Sequence, residues 1–358
     1  MLYSAHQGQM WLLLEKKREN NMKYRVNIDE ANETKTGFSN IIDGKDDRLK
    51  NRVGAFASLF KLDVSKYSNP LLVLKTEEPG TKQILAFKHN KIESVCYDMI
   101  NHLINDCVVM GATPLAVQDL VVCGKLEKDA VTRIVTAISE ICRENECVLT
   151  GGETTEQPDI LPPETYILGS SIIGIVDSDK VIDGTKIKPG DSVIAVASSG
   201  PHTNGYTLIR DLISRHPDLA DRQVEDNTFL EAVLKPHRCY YKSIKKLFDG
   251  LAVGFAHVTG GGIKENLNRI LPSSVDAVID LGCYKPQQVF SVIKEAGNVS
   301  HDDMLRTFNL GVGLVVVCRE PDSEKVINSL NESGEYAYRI GRIENGCGLV
   351  KCINQVEL

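Results

Sequence analysis

No two of the ten cysteines stand as a Cys-x-x-Cys pair, and the closest spacings are Cys142 with Cys147 and Cys347 with Cys352. Neither a zinc site nor a disulfide framework is indicated. Cys96, Cys107, Cys142 and Cys318 fall inside apolar patterns, the setting of reduced core thiols in a cytoplasmic protein. Also missing is any apolar run long enough to span a membrane. Met10-Trp11-Leu12-Leu13-Leu14 is too short for a signal-peptide core and lacks a basic region before it. Positive charge is in deficit. Against 48 Asp and Glu there are 41 Lys and Arg, a net charge of −7 that argues against a nucleic-acid surface.

What is present is an ordinary globular composition, 42% hydrophobic and 25% charged, over 358 residues. That length exceeds what one core usually serves, so two domains are expected. Residues 1–21 read as a leader. Lys17-Arg18-Glu19-Asn20-Asn21 matches what a purine-rich ribosome-binding sequence would encode, which places the expected start at Met22. The polar segment Asp177 to Gly190, with turn signals at Asp183-Gly184 and Pro189-Gly190, sets the expected boundary. The expected domains are therefore residues 22–180 and 181–358.

The most informative stretch is Ser198-Ser199-Gly200-Pro201-His202-Thr203-Asn204-Gly205-Tyr206. The apolar run Ser192 to Ala197 before it reads as a buried strand, and Tyr206 to His216 after it reads as a helix. Such a strand–turn–helix junction lets a ligand approach the backbone and offers free N–H groups to an anion. His202 and Asn204 sit where a reacting group would lie; the bland alternative is a Gly-Pro turn carrying a surface histidine. A second glycine loop, His257-Val258-Thr259-Gly260-Gly261-Gly262, feeds the helical Ile263 to Leu271 and matches neither the Walker nor the dinucleotide pattern.

In the first half, Pro70 to Lys75 reads as a strand that runs into Thr76-Glu77-Glu78-Pro79-Gly80-Thr81-Lys82, a turn suited to a metal-nucleotide or simply a charged turn. Glu93 to Met110 is a helix with Val95, Met99, Leu103 and Cys107 on one stripe. Asp98, His102 and Asn105 share a second face, with Asp106 beside it, available to Mg²⁺ or to solvent. Leu115 to Val122 reads as a strand interrupted at Gln118-Asp119, and Ala130 to Arg143 as a helix. Cys147 to Thr150 reads as a strand opening into the glycine turn Gly151-Gly152-Glu153-Thr154-Thr155-Glu156. Ile167 to Val176 closes the half as an apolar strand. Arg306 before the strand Leu314 to Cys318 can pair with a phosphate or with an interface carboxylate.

Taken in order, the motifs resemble the phosphoribosylformylglycinamidine cyclo-ligase (AIR synthetase) family. The resemblance runs from Val26-Asn27-Ile28-Asp29 to Arg339-Ile340-Gly341. It is carried by Asn105-Asp106, Gly124-Lys125-Leu126, Gly151-Gly152-Glu153-Thr154, the Ser199 to Tyr206 stretch, Thr259-Gly260-Gly261-Gly262 with Glu265-Asn266, and Gly297-Asn298-Val299 through Arg306-Thr307-Phe308-Asn309. It implies an α+β protein of two α/β-type domains, with the N-terminal domains pairing across a homodimer into a barrel-like sheet. It also implies ATP-dependent closure of an imidazole ring in purine biosynthesis, with ATP and Mg²⁺ as cofactors and a ribonucleotide substrate. Carried over, Lys82, Thr81, Asp98, Asn105, Asp106 and Glu153 become ATP-binding candidates, and Glu77 and Asp106 metal candidates. His202 and Asn204 become catalytic candidates, with neutral His202 also suited to shuttle a proton. Thr259, Gly260, Gly261 and Gly262 become candidates for the substrate phosphate.

The family turn usually reads Thr-Asp-Gly-Val-Gly-Thr-Lys, whereas this chain has Thr76-Glu77-Glu78-Pro79-Gly80-Thr81-Lys82. Near Ser39-Asn40 the family often has a lysine, and the glycine-rich run before the first core helix is reduced to Val53-Gly54-Ala55-Phe56-Ala57. The departures gather in the nucleotide half. Three readings follow: an active cyclo-ligase with a variant loop, a related ATP-dependent small-molecule phosphotransferase, or a non-catalytic paralogue.

Overall fold

The computed structural model describes residues 37, 38, 41, 42, 46–51 and 54–358. The expected leader 1–21, the start at Met22, the Val26–Asp29 match and the departures at Ser39-Asn40 and Val53 lie outside them.

Two sheets draw on separate stretches of chain. The first is four-stranded and uses β1 (Pro70–Glu77), β2 (Thr113–Cys123), β3 (Val148–Glu156) and β4 (Tyr166–Asp177), in the order β1-β4-β2-β3. α1 (Lys82–Lys88) and α2 (Ile92–Val108) follow β1, and α3 (Lys128–Glu144) connects β2 to β3. β2 and β3 are parallel, the pairing a helical crossover permits, and the other pairs are antiparallel. The expected interruption at Gln118-Asp119 is a shift of register against β3 between Val117 and Asp119. Gly151 to Glu156, expected as a turn, instead continues β3 along the edge of the sheet. Pairing with β2 holds this stretch extended, although local turn chemistry favours leaving the sheet.

The α2 stripe Val95, Met99, Leu103 and Cys107 is fully buried, as are Val131, Ile134 and Ile138 on α3. Both helices lie on one face of the sheet, over Val117, Val121, Leu168 and Ile172. On the other face Leu72, Leu74, Leu120, Ile167 and Ile173 remain exposed. Leu74 and Ile173 are direct cross-strand partners and form one apolar cluster with Leu72, which the hydrogen-bonded Thr76–Ser171 pair and Gln118 separate from Leu120 and Ile167.

The second sheet has six strands. After β5 (Ser192–Ala197) come α4 (Tyr206–Arg215), the short hairpin β6 (Gln223–Val224) and β7 (Asn227–Thr228), α5 (Phe229–Leu234) and α6 (Tyr241–Ile244). Then follow β8 (Ala252–His257), α7 (Gly262–Asn268), β9 (Val275–Asp280), α8 (Gln288–Gly297), α9 (His301–Thr307), β10 (Val312–Cys318), α10 (Ser323–Glu332), β11 (Ala337–Asn345) and β12 (Val350–Ile353). The sheet order is β12-β9-β11-β5-β10-β8. β5 is buried at every position, as its near-continuous apolar run requires.

The two sheets meet through the polar side of α2. The connection 235–240 between α5 and α6 has no regular structure, and side chains of α2 satisfy its backbone. Asp98 accepts from the His237 N–H at 2.6 Å, and Asn101 donates to the His237 carbonyl at 2.6 Å. Asn105 donates to the Arg238 carbonyl at 2.8 Å and accepts from the Tyr240 N–H at 2.9 Å. The face expected to meet Mg²⁺ or solvent is thus in large part a docking face.

Candidate active site

Loops from both sheets converge beside this junction. The chain leaves β5 through Gly200 at φ +139° and His202 at φ +59°, and enters α4 from Gly205 at φ +78°. His202 is therefore carried inward, and it is buried rather than a surface residue. Its Nε2 accepts from the Ser199 N–H at 3.2 Å, which puts the neutral ring's proton on Nδ1, and Nδ1 has no partner. Burial, reinforced by the nearby His257 and Lys82, pushes the His202 pKa well below the ordinary 6.5. The ring is thus a fixed hydrogen-bond donor, and the proton shuttle expected from a near-neutral pKa is not favoured here.

Three of the other seven histidines gather around it. The His202 and His237 rings stack at 3.8 Å, and His237 Nε2 lies 2.8 Å from His257 Nε2. His257, at the end of β8, donates from Nδ1 to Asp106 at 2.7 Å. His102, one turn before Asp106 on α2, places Nε2 3.6 Å from Asp106 Oδ2 and 3.8 Å from Glu77 Oε1. Burial opposes ionisation of Asp106, but the imidazoles of His102 and His257 outweigh it and hold the carboxyl far below its usual range.

Glu77 and Asp106 point to one place. The Lys75 ammonium lies 2.6 Å from Glu77 and 3.1 Å from Asp106, so a cation already bridges the two carboxylates. That donor set suits Mg²⁺, which takes one or two carboxylates together with phosphate oxygens. The longer arm of Glu77 keeps its carboxylate within reach of Asp106. Glu78 is exposed and folds back to accept from the Gly80 N–H at 3.2 Å. Thr81 is exposed at the start of α1 and makes no capping bond.

Lys82, expected at phosphate, is placed differently. It is fully buried, paired with Asp98 at 2.8 Å, and donates to the carbonyls of His202 at 3.0 Å and Lys235 at 2.8 Å. Three acceptors satisfy its three N–H groups and leave none for phosphate. Asp98 is buried with it; burial pushes its carboxyl up to about 6 while Lys82 opposes the rise. Asp98 and Asn105 hold the junction together.

The glycine loop after β8 lies close by. Gly261 and Gly262 have φ of +89° and +61°, and a Cβ on Gly262 would stand 2.2 Å from the Leu305 carbonyl. Asn266 donates to the carbonyls of Gly260 at 3.1 Å and Gly262 at 2.8 Å, and its Oδ1 accepts from Thr259 Oγ1 at 3.3 Å. The Gly262 N–H is taken by the Thr259 carbonyl at 3.2 Å, which leaves the N–H groups of Gly260 and Gly261 as the loop's candidates for an anion. A Cβ on Gly260 would lie 3.2 Å from Asn204 Oδ1, and one on Gly80 3.6 Å from the Thr203 carbonyl. The three expected loops therefore do meet.

Glu153 stands apart. Glu77 pairs with Ser170, Ser170 with Asp119 and Asp119 with Gly152 across the sheet, a span of roughly 14 Å for three strand spacings. Glu153 instead lines a cavity of about 520 Å³ with Gln118, Asp119, Thr150 and Ser58. Burial pushes the Asp119 carboxyl up to about 7, with Glu153 adding to the rise. Sequence reading missed His237 and Lys75. Nothing near Pro236-His237-Arg238 signals a site, because its neighbours come from α2 and β8.

Family models match both halves: the AIR synthase related protein N-terminal domain over residues 63–176 and its C-terminal domain over 188–351. The chain belongs to the AIR synthase family. It is 41% identical over 301 residues to the phosphoribosylformylglycinamidine cyclo-ligase of Bacillus cereus strain G9842, covering 83% of this chain and 87% of that one. To the cyclo-ligase of Chromobacterium violaceum it is 41% identical over 298 residues, 83% of this chain and 86% of that one. The AIR synthase fold is shared with thiamine-monophosphate kinase from Stenotrophomonas maltophilia K279a, at a TM-score of 0.64, 16% identity, and coverage of 87% and 93%. It is also shared with the hydrogenase maturation protein HypE in complex with ATP, at a TM-score of 0.62, 18% identity, and coverage of 90% and 92%.

Proposed function

We propose that this protein is a phosphoribosylformylglycinamidine cyclo-ligase, closing formylglycinamidine ribonucleotide to aminoimidazole ribonucleotide at the expense of ATP. The observation that carries this is the 41% identity to the Bacillus cereus cyclo-ligase across most of both chains. The convergence of the Glu77, His202–Asn204 and Thr259–Gly262 loops supports it.

Chemically, the formyl oxygen of the substrate is a poor leaving group. Transfer of the γ-phosphoryl to that oxygen gives an iminophosphate; the substrate's ring-closing nitrogen then attacks the same carbon and phosphate departs. Little covalent work falls to the protein, which orients the reactants and offsets charge. Mg²⁺, held by Glu77 and Asp106, supplies neutralisation of the phosphate oxygens. The unpartnered Nδ1–H of His202 is the donor for charge building on the formyl oxygen, with Asn204 beside it. Thr259 to Gly262 receives the ribonucleotide phosphate through backbone N–H groups. Thr81 and Glu153, together with Asp106, are assigned to the nucleotide, and Lys82, Asp98 and Asn105 to holding the loops that meet it.

Residues 22–180 form the nucleotide domain and 181–358 the substrate domain. The exposed apolar face of the first sheet is the homodimer surface, where two such sheets pair into a barrel. Among the described residues no helix is long and apolar enough to cross a membrane. All ten cysteines are free, in keeping with the cytoplasm.

The test is turnover of formylglycinamidine ribonucleotide with ATP and Mg²⁺, following aminoimidazole ribonucleotide and ADP together beside His202→Ala. Coupled formation of both products, lost in the variant, supports the assignment. Ribonucleotide binding without either product replaces it with a paralogue that kept its substrate half.

A further inference from the structure

Lys75 is left without a task in this chemistry, although it stands among the carboxylates assigned to Mg²⁺. Lys75 and Glu77 are two residues apart on β1 and so face the same side of the sheet, the side that α2 covers. Pairing with Ile172 on β4 fixes the Lys75 backbone, and its ammonium ends 2.6 Å from Glu77 and 3.1 Å from Asp106. The Lys75 side chain is 36% exposed, whereas that of Lys82 is 0% exposed. Lys82 has its three N–H groups directed at Asp98, His202 and Lys235, so the nucleotide site takes no cation from it.

We propose that Lys75 is the phosphate-binding lysine of the nucleotide site. Before nucleotide arrives it bridges Glu77 and Asp106; with Mg²⁺ on those oxygens it turns to the terminal phosphates of ATP. The inference rests on the reading above for its ligand, ATP with Mg²⁺. Charge separates this role from a plain ion pair. Two carboxylates neutralise one divalent ion, so without Lys75 the loaded cluster offers no net charge to a polyanion. Lys75 leaves it with one positive charge. The ammonium also resists the metal, because it occupies the same oxygens and repels a second cation. Once those oxygens turn to the metal, its three N–H donors need new acceptors, and phosphate oxygens on the same ion answer that need with charge-assisted hydrogen bonds. No proton moves and no covalent bond changes; one set of N–H···O contacts replaces another. A lysine on a paired strand is well suited to this, since the sheet holds its Cα while the long stem lets the charge swing.

The experiment is binding to the full chain without ribonucleotide, comparing wild type with Lys75→Met and Lys75→Arg. Mn²⁺ alone is followed through the paramagnetic resonance signal of the free ion. Adenylyl imidodiphosphate, a non-hydrolysable ATP analogue, and AMP are titrated calorimetrically with Mg²⁺ present. In Lys75→Met the analogue is expected to bind about 10- to 100-fold more weakly, the loss of a hydrogen bond between charged groups. AMP affinity should hold, and Mn²⁺ affinity should rise severalfold because its competitor is gone. Lys75→Arg keeps the charge and should retain most of the analogue's affinity, and thermal midpoints establish that each variant is folded. Weaker binding of Mn²⁺ and analogue together would make Lys75 a structural partner of the carboxylates and overturn the proposal. Tighter binding of both would make it a competitor only, with the same consequence. Unchanged affinity for the analogue, or an equal loss for AMP, also overturns it. Lys75-dependent binding of the analogue without formation of aminoimidazole ribonucleotide removes the cyclo-ligase assignment alone. Turnover by the wild type with unaltered analogue binding in Lys75→Met removes this proposal alone.

Discussion

The Lys82 ammonium is a structural cation at a position where the loop motif suggested a phosphate ligand. Its carbon stem starts on α1, and its charge ends between Asp98 and two carbonyls of the second half. Removing one partner of a buried ion pair leaves the other charge uncompensated, which costs about 3–5 kcal/mol. Lys82→Met is therefore expected to lower the unfolding free energy by that amount, measured by urea denaturation. Lys82→Met with Asp98→Asn should recover a large part of the loss, since the double variant leaves no unpaired charge. Were Lys82 a phosphate ligand only, the single variant would lose turnover and keep its stability.

At the scale of elements, the turn into α4 is set by two constraints at one residue. Gly205 sits at φ +78°, and a Cβ there would lie 2.1 Å from the ring of Phe308, which is itself buried. Gly205→Ala thus adds backbone strain to an overpacked contact, and a loss of about 2–4 kcal/mol is expected from the thermal midpoint. The β9–β12 edge carries a pH dependence. Lys351 at 2.6 Å, with the Cys347 and Leu349 N–H groups at 2.8 Å each, holds Asp276 down to about 2 from the usual 3.8. A depressed carboxyl contributes stability above its unfolded value and loses it as pH falls through the folded one. The thermal midpoint is expected to drop between about pH 4 and pH 2, and Asp276→Asn should lower it at pH 7 while flattening that drop.

Across the whole molecule, what was legible in the sequence was what depends on near neighbours. The β5 run and the four-residue stripe of α2 each declare a buried face within one element. The polar face of α2 was ambiguous because the groups that satisfy it, around His237 to Tyr240, stand more than 130 residues away. Gly151 to Glu156 misled for the same reason, since only β2 holds it extended. The exposed apolar side chains on the first sheet are a further nonlocal feature, for Leu74 on β1 pairs with Ile173 on β4, and Leu120 on β2 pairs with Gly169, diagonal to Ile167. Among the described residues no element covers these large aliphatic side chains and β1 beside them is an edge of the sheet, the two features that mark an association surface. A second copy offers the same face, so a two-fold pairing buries both at once. Light scattering should accordingly give twice 39.5 kDa for the native chain. Leu72→Asp with Leu74→Asp should give the single-chain mass with its circular dichroism intact, because neither residue packs in the core. A wild-type chain that is monomeric at micromolar concentration would end the dimer assignment and leave the patch to some other partner.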